Sequence, residues 1–125
     1  MATSGYLGDQ RERAARTSLE TVGERLASEL ARVDGLSTRA ERTTLDTRHP
    51  GRVGGTTYLV RLSPDPGFCD GAAPCLVLRT DADTPDVRIV VTLTTDTPVV
   101  DSSVPGGRIT VVYDGTALSL AEAEP

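Results

Sequence analysis

The chain has 125 residues and a formal net charge of −5 at pH 7, with 18 acidic residues against 13 basic ones. All 13 basic residues are arginine, and we expect no nucleic-acid partner because a phosphate backbone needs a concentrated positive surface. The length suits one domain with a modest core. The sequence contains no run of 18 apolar residues, so it predicts no membrane span.

Residues 9–35 are predicted to form one long amphipathic helix, preceded at 1–8 by a disordered or expression-derived start. Asp9 with Glu12 resembles a capping box, and Gly35 before Leu36 suits a left-handed C-cap. Such a helix is about 39 Å long, so part of it is expected to stand clear of a small domain. Its apolar positions recur every three or four residues and predict a face for packing on a sheet or for subunit contact: Ala15, Leu19, Val22, Leu26, Leu30 and Val33.

Residues 36–55 are predicted to be a connecting loop, because this segment is polar and contains Pro50 and several glycines. His49 lies in the turn-rich stretch "TRHPGRVGG", with no cysteine or serine motif beside it to suggest a nucleophile and base. We therefore expect His49 to be a solvated loop residue.

Residues 56–121 are predicted to form an antiparallel sheet of four or five strands, and residues 122–125 a tail. The segments "TTYLVRL", "CLVLRT" and "DVRIVVTLTTD" have the composition or alternation of strands. In "RITVVYDGTALSL", Asp114 and Gly115 separate two alternating runs and predict a type I′ hairpin turn. With the helix placed on the sheet, the fold class is α+β.

Cys69 and Cys75 lie six residues apart in "FCDGAAPCLV", where Asp70, Gly71 and Pro74 favour a loop that brings the two cysteines together. A local disulfide, two free thiols and a metal site that includes His49 all remain open at this stage. An oxidised pair would indicate an extracytoplasmic location.

The remaining polar clusters favour structural roles over chemistry. Asp81, Asp83 and Asp86 form an acidic turn that offers oxygen ligands for calcium but departs from the EF-hand pattern at its sixth and twelfth positions. Four arginines in or beside the strands are expected to pair with Thr and Asp on the solvated side of a sheet: Arg61, Arg79, Arg88 and Arg108. We expect no enzymatic activity, no catalytic residue, no cofactor and no resident metal.

The order of the parts resembles the soluble part of haloarchaeal pilin-like proteins, of the type IV pilin or pseudopilin family. The resemblance runs from about Ser4 to Leu120, and the helix "DQRERAARTSLETVGERLASELARVDGL" and the closing "DTPVVDSSVPGGRITVVYDG" carry it most specifically. The absence of lysine and the excess of acidic residues resemble the composition of proteins from halophilic organisms.

The resemblance implies a structural subunit, a minor pilin or pseudopilin that serves adhesion, secretion or filament initiation. Its partners would be other pilin subunits, and its location the cell surface. The family's apolar N-terminal half, which anchors the subunit in the membrane before assembly, is not in this sequence, and we expect it to precede Ser4 in the natural protein. A rival hypothesis is an extracytoplasmic binding module that recognises a ligand through its loops or outer sheet face. A small hydrolase is a weaker rival, and no small-molecule substrate is expected.

Overall fold

The computed structural model describes residues 2–36, 41–81 and 86–122, and within the first helix it describes side chains from Gln10 onward. The elements in chain order are α1 (Ala2–Leu36), β1 (Thr43–Arg48), β2 (Tyr58–Ser63), β3 (Cys75–Thr80), β4 (Arg88–Thr92), β5 (Ser102–Pro105), β6 (Arg108–Tyr113) and β7 (Leu118–Glu122). One N-terminal helix followed by antiparallel sheets confirms the α+β class.

The helix α1 is longer than predicted at its N-terminal end. Residues 2–8, predicted to be a disordered start, are helical, and Asp9 lies inside the helix, so the predicted capping box is wrong. Gly35 has no positive φ, so the predicted left-handed cap at this residue is also wrong. The last turn is instead tied to the loop before β5, because the Asp34 carboxylate accepts hydrogen bonds from the backbone N–H groups of Asp96 and Thr97 at 3.1 and 2.9 Å.

The described strands form two antiparallel sheets where one sheet of four or five strands was predicted. A three-stranded sheet has the order β1-β6-β7, and a four-stranded sheet has the order β4-β3-β2-β5. The two sheets meet between β5 and β7, where the backbone N–H of Val100 donates to the carbonyl of Leu118 at 2.8 Å and Leu120 N–H donates to the hydroxyl of Ser102 at 2.9 Å. The two sheets are therefore joined by a seam between β5 and β7.

Strand β1 lies within the segment 36–55, which was predicted to be a loop. It pairs with β6 along its whole length, from Thr43 opposite Tyr113 to Arg48 opposite Arg108. Its sequence, "TTLDTR", contains a single large apolar residue, Leu45. Because alternation of apolar and polar residues is the main signal for a strand, this segment resembles a loop in sequence even though threonine favours strands.

The hydrophobic core lies between α1 and both sheets. The helix contacts β3 and β4 of one sheet and β1 and β6 of the other. The six predicted face positions are each at most 1% exposed: Ala15, Leu19, Val22, Leu26, Leu30 and Val33. Gly23 permits a close approach to the sheet, since a Cβ at this position would lie 2.7 Å from Cγ2 of Val91. The apolar stripe of α1 is thus covered by the chain's own strands.

The hairpin between β6 and β7 turns one position later than predicted. Asp114 N–H donates to the carbonyl of Ala117 at 3.2 Å, so Gly115 and Thr116 are the central residues of the turn. Gly115 has a φ of 106°, whereas Asp114 has no positive φ, and the predicted type I′ turn at Asp114 and Gly115 is wrong. The Asp114 carboxylate explains the shift, because it accepts hydrogen bonds from the backbone N–H groups of Thr116 and Ala117, each at 2.9 Å.

Replacing Leu26 by aspartate is expected to unfold the domain or lower its free energy of unfolding by more than about 4 kcal/mol, because the change removes core packing and buries an unpaired charge. Thr21→Asp is the matched control, since Thr21 is exposed on the same helix. Urea denaturation followed by circular dichroism measures both variants. Similar midpoints for the two would contradict the packing of Leu26 described above.

Candidate functional site

Cys69 and Cys75 form a disulfide, with a Cα–Cα distance of 5.7 Å. This confirms the first of the three alternatives left open by the sequence and excludes the free thiols and the metal site. The disulfide closes the connection between β2 and β3 and holds that connection against the face of the four-stranded sheet that points away from α1. We call this face the outer face.

A small second hydrophobic cluster covers part of the outer face. It consists of both cysteines and Val77, with Phe68, Ala73 and Val90 packed against them. It is separate from the main core because side chains alternate along β3: Leu76 and Leu78 point to the helix side, whereas Cys75 and Val77 point outward. The disulfide loop therefore places an aromatic ring on the outer face of the sheet.

Two arginines surround the Phe68 ring. The guanidinium carbon of Arg61 lies 3.8 Å from the ring centroid and that of Arg88 lies 5.9 Å away, distances at which a cation is attracted to the face of a ring. Arg61 also donates two hydrogen bonds to the Asp101 carboxylate, at 2.9 and 2.6 Å. These exposed groups hold Phe68 in a defined position.

The arginines of the strands have different environments. Arg88 donates to the carbonyl of Phe68 at 2.9 Å and lies 3.5 Å from a carboxylate oxygen of Asp70. Together with the pair of Arg61 and Asp101, these contacts match the predicted pairing on a solvated face. In the described part of the chain, the side chains of Arg79 and Arg108 form no hydrogen bond or ion pair. Arg79 lies on the outer face, and Arg108 lies in the other sheet.

Removing the disulfide by the double change Cys69→Ala and Cys75→Ala is expected to lower the free energy of unfolding by about 2 kcal/mol, because the bond closes a short loop. Urea denaturation measures this loss. The wild-type protein should lose a similar amount in the presence of reductant, whereas the double variant should not respond to reductant. Two thiols alkylated in the unreduced, denatured wild-type protein would show that the bond is absent.

His49 is buried, so the prediction that it is a solvated loop residue is wrong. It is 5% exposed, and its Nε2 lies 3.0 Å from the hydroxyl of Thr47 and 3.1 Å from a carboxylate oxygen of Glu29 on α1. The reason is strand β1, which the sequence did not predict: alternation along it points Thr47 and His49 to the same side, towards α1. The spacing of two between Thr47 and His49 could have indicated that both lie on one face of a strand. The strand was not recognised because neither residue is apolar.

The hydrogen-bond network determines the tautomer of His49. The single hydroxyl proton of Thr47 goes to the carbonyl of Ile109 at 3.0 Å, so the proton between Thr47 and His49 belongs to Nε2. Nδ1 is buried and has no hydrogen-bond partner among the residues that the structure describes. Burial, and to a smaller extent the charge of Arg25, lowers the pKa of His49. The imidazole is therefore neutral at pH 7, and its contact with Glu29 is no ion pair.

Stability is expected to fall as the pH decreases below 6.5, the ordinary pKa of histidine. His49 then binds a proton more readily in the unfolded chain than in the folded chain. The free energy of unfolding changes with a limiting slope of about 1.4 kcal/mol per pH unit for one proton. The loss ends below the lowered pKa of the folded state. His49→Gln should flatten this dependence between about pH 7.5 and pH 5.5, measured by urea denaturation.

Protonation of Glu29 has the opposite effect on stability to protonation of His49, so Glu29 provides the control. Burial raises its pKa above 4.5, against the smaller influence of Arg25 and Arg32, so folded Glu29 takes up a proton more readily than unfolded Glu29. Protonation of Glu29 thus adds stability as the pH falls from its raised pKa towards 4.5, and Glu29→Gln should steepen the loss of stability over that range. Equal slopes for the wild type and His49→Gln would contradict the assignment to His49.

The acidic turn lies partly outside the described residues. Asp83 belongs to the segment 82–85, about which the structure says nothing. The Asp81 carboxylate accepts a hydrogen bond from the Thr57 hydroxyl at 2.6 Å, and Asp86 is exposed. Within the described part of the chain, no group of three His, Cys, Asp or Glu side chains is arranged to hold a metal ion.

One long N-terminal helix and two antiparallel sheets define the class of this protein, an α+β domain. No helix in the described ranges has the length and apolar character needed to cross a membrane. A model of a family of unknown function, DUF7266, matches residues 1–121, and the chain belongs to this family. No curated protein and no solved structure matches it.

Proposed function

We propose that this protein is a non-catalytic structural subunit of a pilin-like assembly, in the manner of a minor pilin or pseudopilin. The observation that carries the proposal is the division of α1 into two parts. The helix has 35 residues, on the order of 50 Å, and among its side chains described from Gln10 onward the buried stripe begins at Ala15. A helix that serves only to cover a sheet would not need this N-terminal extension.

The exposed surface of α1 is available for contacts with neighbouring subunits. Residues 10–14, the described positions before the buried stripe, are all exposed. The stripe from Ala15 to Val33 is occupied by the chain's own sheets, so contacts between subunits would use the N-terminal part of α1 and its charged side. In this proposal α1 is the stem of the subunit, and the sheets form its head.

The disulfide supports a location outside the cytoplasm, because disulfides persist in oxidising compartments and are rare in the cytosol. In the proposed assembly, the head lies at the cell surface and the subunit is anchored by an apolar segment that precedes Ser4. Its partners are other pilin or pseudopilin subunits. The arrangement requires no catalytic group and no cofactor.

The reading frame upstream of Ser4 provides a direct test. If α1 continues into a membrane anchor, about 20 predominantly apolar residues should be encoded immediately before Ser4. A reading frame that begins at Met1, or a polar segment in that place, would contradict the proposal and favour the rival function, an extracytoplasmic binding module that needs no stem.

Cross-linking of the full-length protein on cells provides the second test. A cysteine at Ala14, an exposed residue of α1, should give a covalent dimer with a bismaleimide reagent, because each subunit then has one reactive thiol. The native cysteines do not react, because they are bonded to each other. Ser103→Cys, exposed on the outer face, is the matched control and should give much less covalent dimer. Monomer alone from the Ala14→Cys protein would contradict a subunit contact through the stem.

A further inference from the structure

The outer face of the four-stranded sheet contains a cavity of about 190 Å³. It lies beside the ring of Phe68, on the side of the sheet opposite to α1, and we call it the outer cavity. Its lining combines apolar groups, two guanidinium groups and one hydroxyl: Leu59, Arg61, Phe68, Val77, Arg79 and Ser103.

The register of the strands explains why these side chains converge. On the outer face, Arg79 of β3 lies between Leu59 of β2 and Arg88 of β4, directly opposite each. In the next row, Val77 lies opposite Arg61, and Arg61 lies opposite Ser103. One end of the cavity is therefore cationic at Arg79, and its floor is apolar at Val77 and Leu59.

Arg79 has an unfavourable electrostatic environment on the outer face. It lies directly opposite Arg88, and like charges directly opposite each other destabilise an antiparallel pair. Arg88 is compensated by Asp70 and Arg61 by Asp101. In the part of the chain that the structure describes, no carboxylate compensates Arg79.

Leu59 is the second unfavourable group. Leu59 is 45% exposed and lies directly opposite Arg79, so its apolar surface faces solvent beside a guanidinium group. An anion alone would compensate Arg79, and an apolar group alone would cover Leu59. A ligand with an apolar body and a carboxylate at one end does both, because Leu59 and Arg79 are cross-strand neighbours.

The wall of the cavity is held in place before any ligand binds. Phe68 directly precedes Cys69, and its ring is fixed by the disulfide loop beneath it and by Arg61 above it. A preformed wall lowers the entropic cost of binding. Guanidinium and carboxylate groups form paired hydrogen bonds, so Arg79 is suited to orient such a ligand.

From these contacts we propose that the outer cavity binds a small amphiphilic carboxylate. The carboxylate pairs with Arg79 and accepts a hydrogen bond from Ser103, and the apolar body packs on Leu59, Val77 and the edge of Phe68. The cavity volume of about 190 Å³ suits a body of about one aromatic ring or a short branched chain. This binding goes beyond the proposed structural role and does not depend on it, and the ligand is bound without being converted.

Benzoate is a suitable probe, and benzamide is its uncharged counterpart of almost the same shape. The full 125-residue chain, labelled with nitrogen-15, is titrated with each at constant ionic strength, and backbone amide shifts are recorded. Benzoate should shift the amides of Leu59, Val77, Phe68 and Arg79 in the millimolar range. Benzamide should bind at least about tenfold more weakly, because it lacks the charge-assisted hydrogen bonds.

Variants test whether the Arg79 side chain provides the affinity for benzoate. Arg79→Gln should weaken benzoate binding at least about tenfold while leaving the spectrum of the core intact. Arg108→Gln is the matched control, because Arg108 is an exposed strand arginine in the other sheet, and it should leave the affinity unchanged. Leu59→Ser should weaken benzoate and benzamide alike.

Three results would overturn the proposal. One is the absence of saturable shifts at the outer cavity with benzoate. Another is equal affinity for benzoate and benzamide, which would mean that the cavity binds the apolar ring alone and does not recognise the carboxylate. The third is equal weakening by Arg79→Gln and Arg108→Gln, which would mean that benzoate responds to the general charge of the protein.

Discussion

The structure depends on the burial of one helical stripe against two sheets at once. Six positions of α1, from Ala15 to Val33, are at most 1% exposed, and they contact strands of both sheets. In the described part of the chain, few hydrogen bonds join the two sheets directly, and most of them lie at the seam between β5 and β7, which includes an isolated bridge. Burial of apolar surface is the dominant favourable contribution to folding, so α1 is the main connection between the sheets.

This constraint also explains the polar groups beneath the helix. A strand that covers α1 must point alternate side chains towards it, and β1 points Thr47 in this direction, followed by His49 just beyond its end. Glu29 meets them from the helix side, and the Thr47 hydroxyl links the group to the carbonyl of Ile109 on β6. Buried polar groups are tolerated when they bond to one another. Here this requirement is met only in part, because His49 Nδ1 and Glu29 Oε1 have no hydrogen-bond partner among the described residues.

The sequence predicted the parts of the fold that have strong apolar periodicity. The stripe of α1 and the α+β class follow from spacing alone, and the six residues of the stripe are buried in the structure. Strand β1 was missed because Leu45 is its only large apolar residue and its partner, β6, is distant in the chain. The hairpin turn was misplaced because the Asp114 carboxylate stabilises a later turn, and side-chain hydrogen bonds of this kind have no apolar signature.

The outer cavity was beyond sequence prediction for a different reason. Its lining comes from three strands and a disulfide-closed loop, and only the strand register brings Leu59, Val77 and Arg79 together. The cysteine spacing favoured the loop that positions Phe68, but it gave no indication of which face of the sheet the loop would cover.

The position of α1 between the sheets has a consequence for the folding transition. Separating either sheet from α1 would expose part of the same apolar stripe to water. The other sheet would then be covered only where α1 still contacts it. Neither sheet has a second helix to replace it within the described residues. The two sheets therefore gain and lose their structure together, and the domain behaves as a single cooperative unit despite being built from two separate hydrogen-bonded ladders.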